Sequence, residues 1–365
     1  MKVIIAGGGT GGHIFPAIAI ANAIQRRFAG AEVLFVGANG KMEMEKVPQA
    51  GYKIIGLDIV GFNRSNMLKN ISLPFKIWKS RKKAIEIIQS FRPDVAVGVG
   101  GFASFPILSA AQAMGIPTLI QEQNSFAGKS NKILGKKAGA ICVAYDNMER
   151  FFPKSKLIHT GNPVRASIVQ SKVTKAQGLE AFQLPSHRKT LLVVGGSLGA
   201  QAINEAIDAQ LQTLVDAGIQ IIWQTGKPYF AKAQQAAQPF SSQVRVCDFI
   251  KEMEHAYAAA DIVVSRAGAI AIAELCIIGK PVVFVPYPFA AEDHQTSNAI
   301  ALVQKNAAWM VKNEQVQQEL VPKLLSLMGD EQTQLSMQQN IKNMAITDAD
   351  DRIADIVGRL AGKNA

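Results

Sequence analysis

Cysteine, metal-ligand spacing and unbroken apolar runs are all scarce in this sequence. Only three of its 365 residues are cysteine, Cys142, Cys247 and Cys276. They are odd in number and scattered, which excludes a disulfide framework or a zinc site and suits a reducing compartment. The five histidines (His13, His159, His187, His255 and His294) show no ligand spacing. Asp348-Ala349-Asp350 has the D-x-D form of some metal sites, but it stands at an expected helix start, where acids cap. No metal and no cofactor are therefore expected. No charged stretch followed by an apolar one opens the chain, so no signal peptide is expected. Residues 95–120 carry no charge, yet Gly98, Gly100, Gly101, Pro106, Gly115 and Pro117 interrupt them. They read as strand, glycine loop, buried helix and strand rather than as a membrane span. Neither a nucleic-acid-binding motif nor an aromatic stacking set is present, so nucleic acid is not an expected partner.

Charge is present but lopsided. The net charge is +11, with 21 Lys and Arg against 9 Asp and Glu in residues 1–161 and 18 against 19 in the remainder. One half is basic, so a large anionic partner is expected for it. Residues 59–85 have no acid and seven cations: Arg64, Lys69, Lys76, Lys79, Arg81, Lys82 and Lys83. Large apolar residues lie among them, including Phe75 and Trp78. That mixture suits an anionic bilayer surface, where apolar side chains insert and cations meet headgroups. A helix with one core face and one solvated basic face is the plainer alternative.

The chain is long for one core, so two domains are expected. Its organising stretch is residues 7–20, GGGTGGHIFPAIAI. Apolar Val3-Ile4-Ile5-Ala6 precedes it, and Ile14, Ile18, Ala21 and Ile24 then fall on one helical face. The pattern predicts strand, glycine loop and helix, with Pro16 in the helix's first turn. The glycines would leave the backbone open to a ligand. Free N–H groups and the helix dipole there favour an anion such as a diphosphate, with His13 beside it. Gly7, Gly9 and Gly12 also satisfy G-x-G-x-x-G. The NAD version wants an acid at the end of the next strand, whereas residues 32–36 end in Gly37. The loop is therefore read as a phosphate loop.

A second glycine loop follows the strand at residue 95: Gly100-Gly101-Phe102-Ala103-Ser104-Phe105-Pro106. The next strand delivers Gln121-Glu122-Gln123-Asn124, a polar set suited to a sugar. Turn signals in Gly161-Asn162-Pro163-Val164-Arg165 mark a domain boundary. The second half then echoes the first. Leu191-Leu192-Val193-Val194 runs into Gly195-Gly196-Ser197-Leu198-Gly199, Asp261-Ile262-Val263-Val264 matches Asp94-Val95-Ala96-Val97, and Gly279-Lys280-Pro281-Val282 matches Gly115-Ile116-Pro117-Thr118. Three matches in one order predict two similar doubly wound α/β domains with a cleft between facing loops. Glu274 is the only charge on the predicted helix 269–278, and a carboxylate there suits both hydroxyls of a ribose.

Seven motifs in order resemble the MurG family, which transfers N-acetylglucosamine to an undecaprenyl-linked muramoyl-pentapeptide. They are GGTGGHIFP at residues 8–16, GGFASFP at 100–106, EQN at 122–124, GNPVR at 161–165, GGSLG at 195–199, the stretch 265–274, and Asp293-His294-Gln295. The resemblance implies a GT-B fold of two Rossmann-like domains facing across a cleft. Residues 1–161 would be the acceptor and membrane-facing domain and 164–341 the UDP-sugar domain, with residues 342–365 packing back on the first. It implies an inverting enzyme, peripheral on the cytoplasmic face of the inner membrane. Thr10, Gly11, Gly12, Asn124, Arg165, Ser197, Ile250, Ala269, Ile270, Ala271, Ile272, Ala273, Glu274 and Gln295 would bind UDP-N-acetylglucosamine. Gly100, Gly101, Phe102, Ser104 and Glu122 would meet the acceptor, and Phe75, Trp78, Lys79, Lys82 and Lys83 the membrane. His13 would be the base for the acceptor hydroxyl, kept neutral by the helix start, unless it only hydrogen-bonds the acceptor or the loop. Gln121 departs from the His of some members, and Lys305-Asn306 replaces a frequent Gly. A nucleotide-sugar epimerase suits the same two-domain reading but does not need the basic segment.

Overall fold

Short apolar runs become parallel strands buried on both faces, which is why they read as Val, Ile and Leu without alternation. The computed structural model describes residues 1–59 and 73–363, the side chains of 73–77 and 291 excepted. Phe75 and the cations before Trp78 thus lie outside the described side chains. In the first half the strands are β1 (Lys2–Ala6), β2 (Glu32–Ala38), β3 (Lys53–Leu57), β4 (Val95–Gly98), β5 (Thr118–Glu122), β6 (Ala140–Val143) and β7 (Leu157–His159). They form one parallel sheet in the order β3-β2-β1-β4-β5-β6-β7. In the second half β8 (Lys189–Val194), β9 (Ile219–Gln224), β10 (Val244–Cys247), β11 (Ile262–Ser265), β12 (Val282–Phe284) and β13 (Trp309–Met310) form another, ordered β10-β9-β8-β11-β12-β13. The echo in the sequence is thus an echo in topology. β1 lies beside β4 and β8 beside β11, and at each junction the strand order reverses.

The chain forms two compact units, residues 1–165 with 346–365, and residues 166–345. The turn at residues 161–165 stays with the first unit. Gly161 has φ +79°, and a Cβ there would lie 2.8 Å from Ile346 Cδ1.

Two local features depart from expectation. β2 continues through Gly37 to Ala38, because Gly37 and Ala38 pair with Gly56 and Leu57 of β3. The helix after β1 is Gly11–Arg27, so Pro16 lies in its second turn and not its first. There it cannot donate to the carbonyl of Gly12.

The helix Ala349–Leu360 completes the first unit by packing on Gly11–Arg27. Ala349, Ile353, Ala354, Ile356, Val357 and Gly358 are its buried positions. The acids at its start serve in ion pairs and not as caps. Asp348 makes no side-chain cap bond and meets Arg352 Nε at 2.9 Å, while Asp350 and Asp351 receive Arg26 Nη2 at 3.0 and 2.8 Å. Ile353→Val is expected to destabilise the protein by about 1 kcal/mol in a urea melt, because the methyl removed comes from a fully buried site.

Candidate active site

Ligands of open α/β sheets bind beyond the carboxyl ends of the strands where the strand order reverses. In the first unit that point carries two glycine loops pressed together. A Cβ on Gly7 would lie 2.3 Å from Val99 Cγ2, and one on Gly101 2.2 Å from the carbonyl oxygen of Gly8. Gly8 N donates to the carbonyl of Gly100 at 3.3 Å. These glycines let two loops touch, which side chains would forbid.

The inner amides of the first loop are also occupied. Gly7 N donates to the carbonyl of Val36 at 3.1 Å, and Gly9 N to Glu43 Oε2 at 2.8 Å. The amides of residues 7–9 are thus taken up within the chain. The amides that remain for an anion belong to Thr10, Gly11 and Gly12, at the first turn of a helix. Thr10 is extended at the N-cap and makes no side-chain cap bond.

His13 projects from that first turn. Its Nδ1 lies 3.1 Å from Gln123 Oε1. The Gln123 amide is oriented by its own Nε2, which donates to the carbonyls of Val99 at 2.8 Å and Gln121 at 3.2 Å. An amide oxygen only accepts, so Nδ1 carries a proton and is the donor of this pair. Gln123, 110 residues from His13, is a partner that sequence reasoning passed over.

Other expected acceptor residues divide into outer and inner. Phe102 is exposed, beside Gly100 and Gly101. Ser104 is 0% exposed, and its hydroxyl donates to the carbonyls of Ala6 at 2.7 Å and Gly100 at 2.9 Å. It ties the loop to β1 from a buried position. Glu122 is 2% exposed. Its carboxylate accepts from the amides of Asn124 and Gly128, both at 3.1 Å, and from Asn131 Nδ2 at 2.8 Å. The carboxylate shapes the loop that carries Asn124. Arg165 holds its guanidinium 5.8 Å from the ring centre of Phe15.

In the second unit, Ser197 sits exposed at the tip of the loop after β8. Gly199 has φ +77°, and a Cβ there would strike the carbonyl of Thr225. Gln224, at the end of β9, joins two loops: its Nε2 donates to the carbonyl of Gly196 at 3.0 Å, and its Oε1 accepts from Ile250 N at 3.2 Å.

The helix Ala269–Ile278 begins just after β11. Ile272 N already donates to the carbonyl of Gly268 at 3.0 Å, so only the amides of Ala269, Ile270 and Ala271 face outward from the first turn. Beside them lies Arg266, another position not singled out from sequence. Its Nη1 donates to the carbonyls of Val285 and Pro286, each at 3.0 Å, and to Asn313 Oδ1 at 2.9 Å. Burial lowers its pKa to about 10, which still leaves a cation at neutral pH. Glu274, near the middle of the same helix with Ala273 before it, is 5% exposed, and Tyr257 Oη donates to its Oε2 at 3.0 Å. Gln295 lies in the first turn of the helix His294–Val303, and its Oε1 accepts from Tyr287 N at 3.0 Å.

Two parallel α/β units, each with a glycine loop at the reversal of its strand order, define the GT-B class of glycosyltransferase. Residues 3–143 match the glycosyltransferase family 28 N-terminal domain, and residues 190–353 match the glycosyltransferase family 28 C-terminal domain. The UDP-N-acetylglucosamine--N-acetylmuramyl-(pentapeptide) pyrophosphoryl-undecaprenol N-acetylglucosamine transferase of Cytophaga hutchinsonii is 53% identical over 98% of this chain and 96% of its own. The Bacteroides thetaiotaomicron protein of the same name is 52% identical over 99% and 98%. The crystal structure of Acinetobacter baumannii MurG superposes with a TM-score of 0.80 at 31% identity, covering 98% of this chain and 99% of that one. The chain belongs to glycosyltransferase family 28 and, within it, to the MurG family.

Proposed function

We propose that the protein transfers N-acetylglucosamine from UDP-N-acetylglucosamine to the muramoyl sugar of undecaprenyl-pyrophosphoryl-N-acetylmuramoyl-pentapeptide. The observation that carries this reading is full-length identity of about half with relatives named for that reaction. The acceptor's 4-hydroxyl displaces UDP at the anomeric carbon with inversion. His13 Nε2 takes the hydroxyl proton, while Nδ1–H stays on Gln123. In the second unit, the Ala269–Ala271 amides and the half-buried Arg266 supply positive potential for the diphosphate, and Glu274 accepts from the ribose hydroxyls. Ile250 presents its backbone to uracil, and Ser197 meets the diphosphate. Asn124 and Gln295 read sugar hydroxyls, with Thr10, Gly11, Gly12 and Arg165 also on the donor, and Gly100, Gly101 and Phe102 meet the acceptor. The test is UDP release from UDP-N-acetylglucosamine with and without the lipid-linked muramoyl acceptor. Release that does not depend on acceptor removes the reading.

The acceptor's polyprenyl tail stays in the bilayer, so the enzyme works at the cytoplasmic membrane face as a peripheral protein. Among the described residues no helix is long and apolar enough to cross a membrane. The helix Leu73–Phe91 supports a docking role. Ser80, Ala84, Ile87 and Ile88 form its buried face, whereas Trp78 is 62% exposed among the exposed Lys79, Arg81, Lys82 and Lys83. Alanine at Lys79, Lys82 or Lys83 singly is expected to weaken binding to anionic vesicles by about 1 kcal/mol, roughly fivefold, with UDP affinity unchanged. Lys83 also meets Glu86 at 3.3 Å, so its loss should matter least. Wild-type vesicle binding should fall as salt rises. Three variants that sediment with vesicles as the wild type does would make the helix an ordinary solvated one.

A further inference from the structure

Glu43 holds the first glycine loop as a bound anion would. It opens the short helix Glu43–Gln49 after β2 and is 1% exposed. Oε2 accepts from Gly9 N at 2.8 Å and Oε1 from Ala38 N at 2.9 Å. Two glycines make its space. A Cβ on Gly8 would lie 2.3 Å from the carboxyl carbon, and one on Gly37 2.4 Å from Cγ. A carboxylate taken this far from water needs such donors. The matching loop of the second unit lacks this device. Its anchor is the neutral Gln224, which donates to a carbonyl, and among the described residues no carboxylate hydrogen-bonds the amides of residues 195–199. The two loops echo in sequence, yet only the first is filled by a charge of the chain's own.

We propose that Glu43 is a positioning residue for the transfer reaction, a built-in anion with two effects. It closes the Gly9 amide, the inner amide that no backbone carbonyl takes, to phosphate, which leaves any anion the Thr10–Gly12 turn. It also fixes the loop under His13. The linkage is short: Glu43 holds Gly9, Gly8 N holds the carbonyl of Gly100, and a Cβ on Gly100 would lie 2.8 Å from His13 Cε1. Two N–H donors face the carboxylate, so both of its oxygens are required. A glutamine would offer one acceptor and turn an NH2 against the other amide. This inference rests on the transferase reading but not on His13 being the base.

The test uses the full chain with Glu43→Gln and Glu43→Ala. Turnover with lipid acceptor is measured with and without sodium formate, alongside UDP and inorganic pyrophosphate titrations. Both variants are expected to lose turnover by about tenfold, the worth of a hydrogen bond to a charged group, while UDP affinity is unchanged. Formate should restore turnover in the alanine variant, whose cavity fits a carboxylate beside Gly9 and Ala38, but not in the glutamine variant. Pyrophosphate should compete with formate only in the alanine variant. A purely structural role would lower the melting temperature and leave turnover insensitive to formate. Glutamine at wild-type turnover, or a folded alanine variant that formate does not restore, overturns the proposal. Should the alanine variant fail to fold, the glutamine variant of nearly equal size decides on turnover alone. Failure of the transferase reading shows separately, as a wild type that releases no UDP with acceptor.

Discussion

Replacing His13 by alanine is expected to lower turnover about a hundredfold or more while donor affinity stays near wild type. The expectation follows from the proton inventory of the ring. Gln123 Nε2 donates to the carbonyls of Val99 and Gln121, which turns Oε1 toward His13 Nδ1. Nδ1 must then donate, which in the neutral ring leaves on Nε2 the lone pair that a general base needs. The same inventory predicts the effect of Gln123→Glu. A carboxylate at that place stabilises the imidazolium and raises the histidine's pKa, so the acid limb of kcat/KM moves to higher pH. If the ring only hydrogen-bonds the acceptor, the alanine variant raises KM and keeps kcat near wild type. Near-full turnover of the alanine variant with lipid acceptor excludes His13 as the base.

The parts legible in the sequence are those fixed by local pattern. Val3-Ile4-Ile5-Ala6 and Leu191-Leu192-Val193-Val194 are buried parallel strands, and both halves share one topology because they share the order of those runs. The helix Ala269–Ile278 has the predicted bounds, since Gly268 precedes it and Gly279, at φ +68°, ends it. What escaped depends on side chains brought together across long separations. Glycines at residues 7–9 suggest an open backbone, but nothing local says that Glu43 fills the space 34 residues away. Ser104 and Glu122 stand in polar motifs, and only the folded chain turns them inward. Gln224 carries no signal at all, being one glutamine at a strand end, yet it joins two loops of the second unit. Pro16 was misplaced by one turn because glycines, poor helix formers by propensity, open the helix at Gly11.

Loss of the Glu274 carboxylate is expected to weaken UDP binding by about 2 kcal/mol, or about thirtyfold. The site explains the size. Glu274 is buried, so a hydrogen bond to it forms with little competition from water. Tyr257 Oη donates to Oε2 at 3.0 Å and so fixes the plane in which the carboxylate presents itself. Two controls separate a ribose contact from simple damage to the helix Ala269–Ile278. Tyr257→Phe keeps the carboxylate but frees its orientation, and should cost less than Glu274→Ala. The stronger control changes the ligand. The wild type should bind UDP more tightly than 2′-deoxy-UDP, because one hydroxyl donor is missing from the latter. In Glu274→Ala that preference should collapse, as neither nucleotide has a carboxylate to meet. A variant that loses affinity for both nucleotides equally while keeping the preference would assign the ribose contact to another residue. Unchanged UDP affinity would remove Glu274 from the donor site altogether.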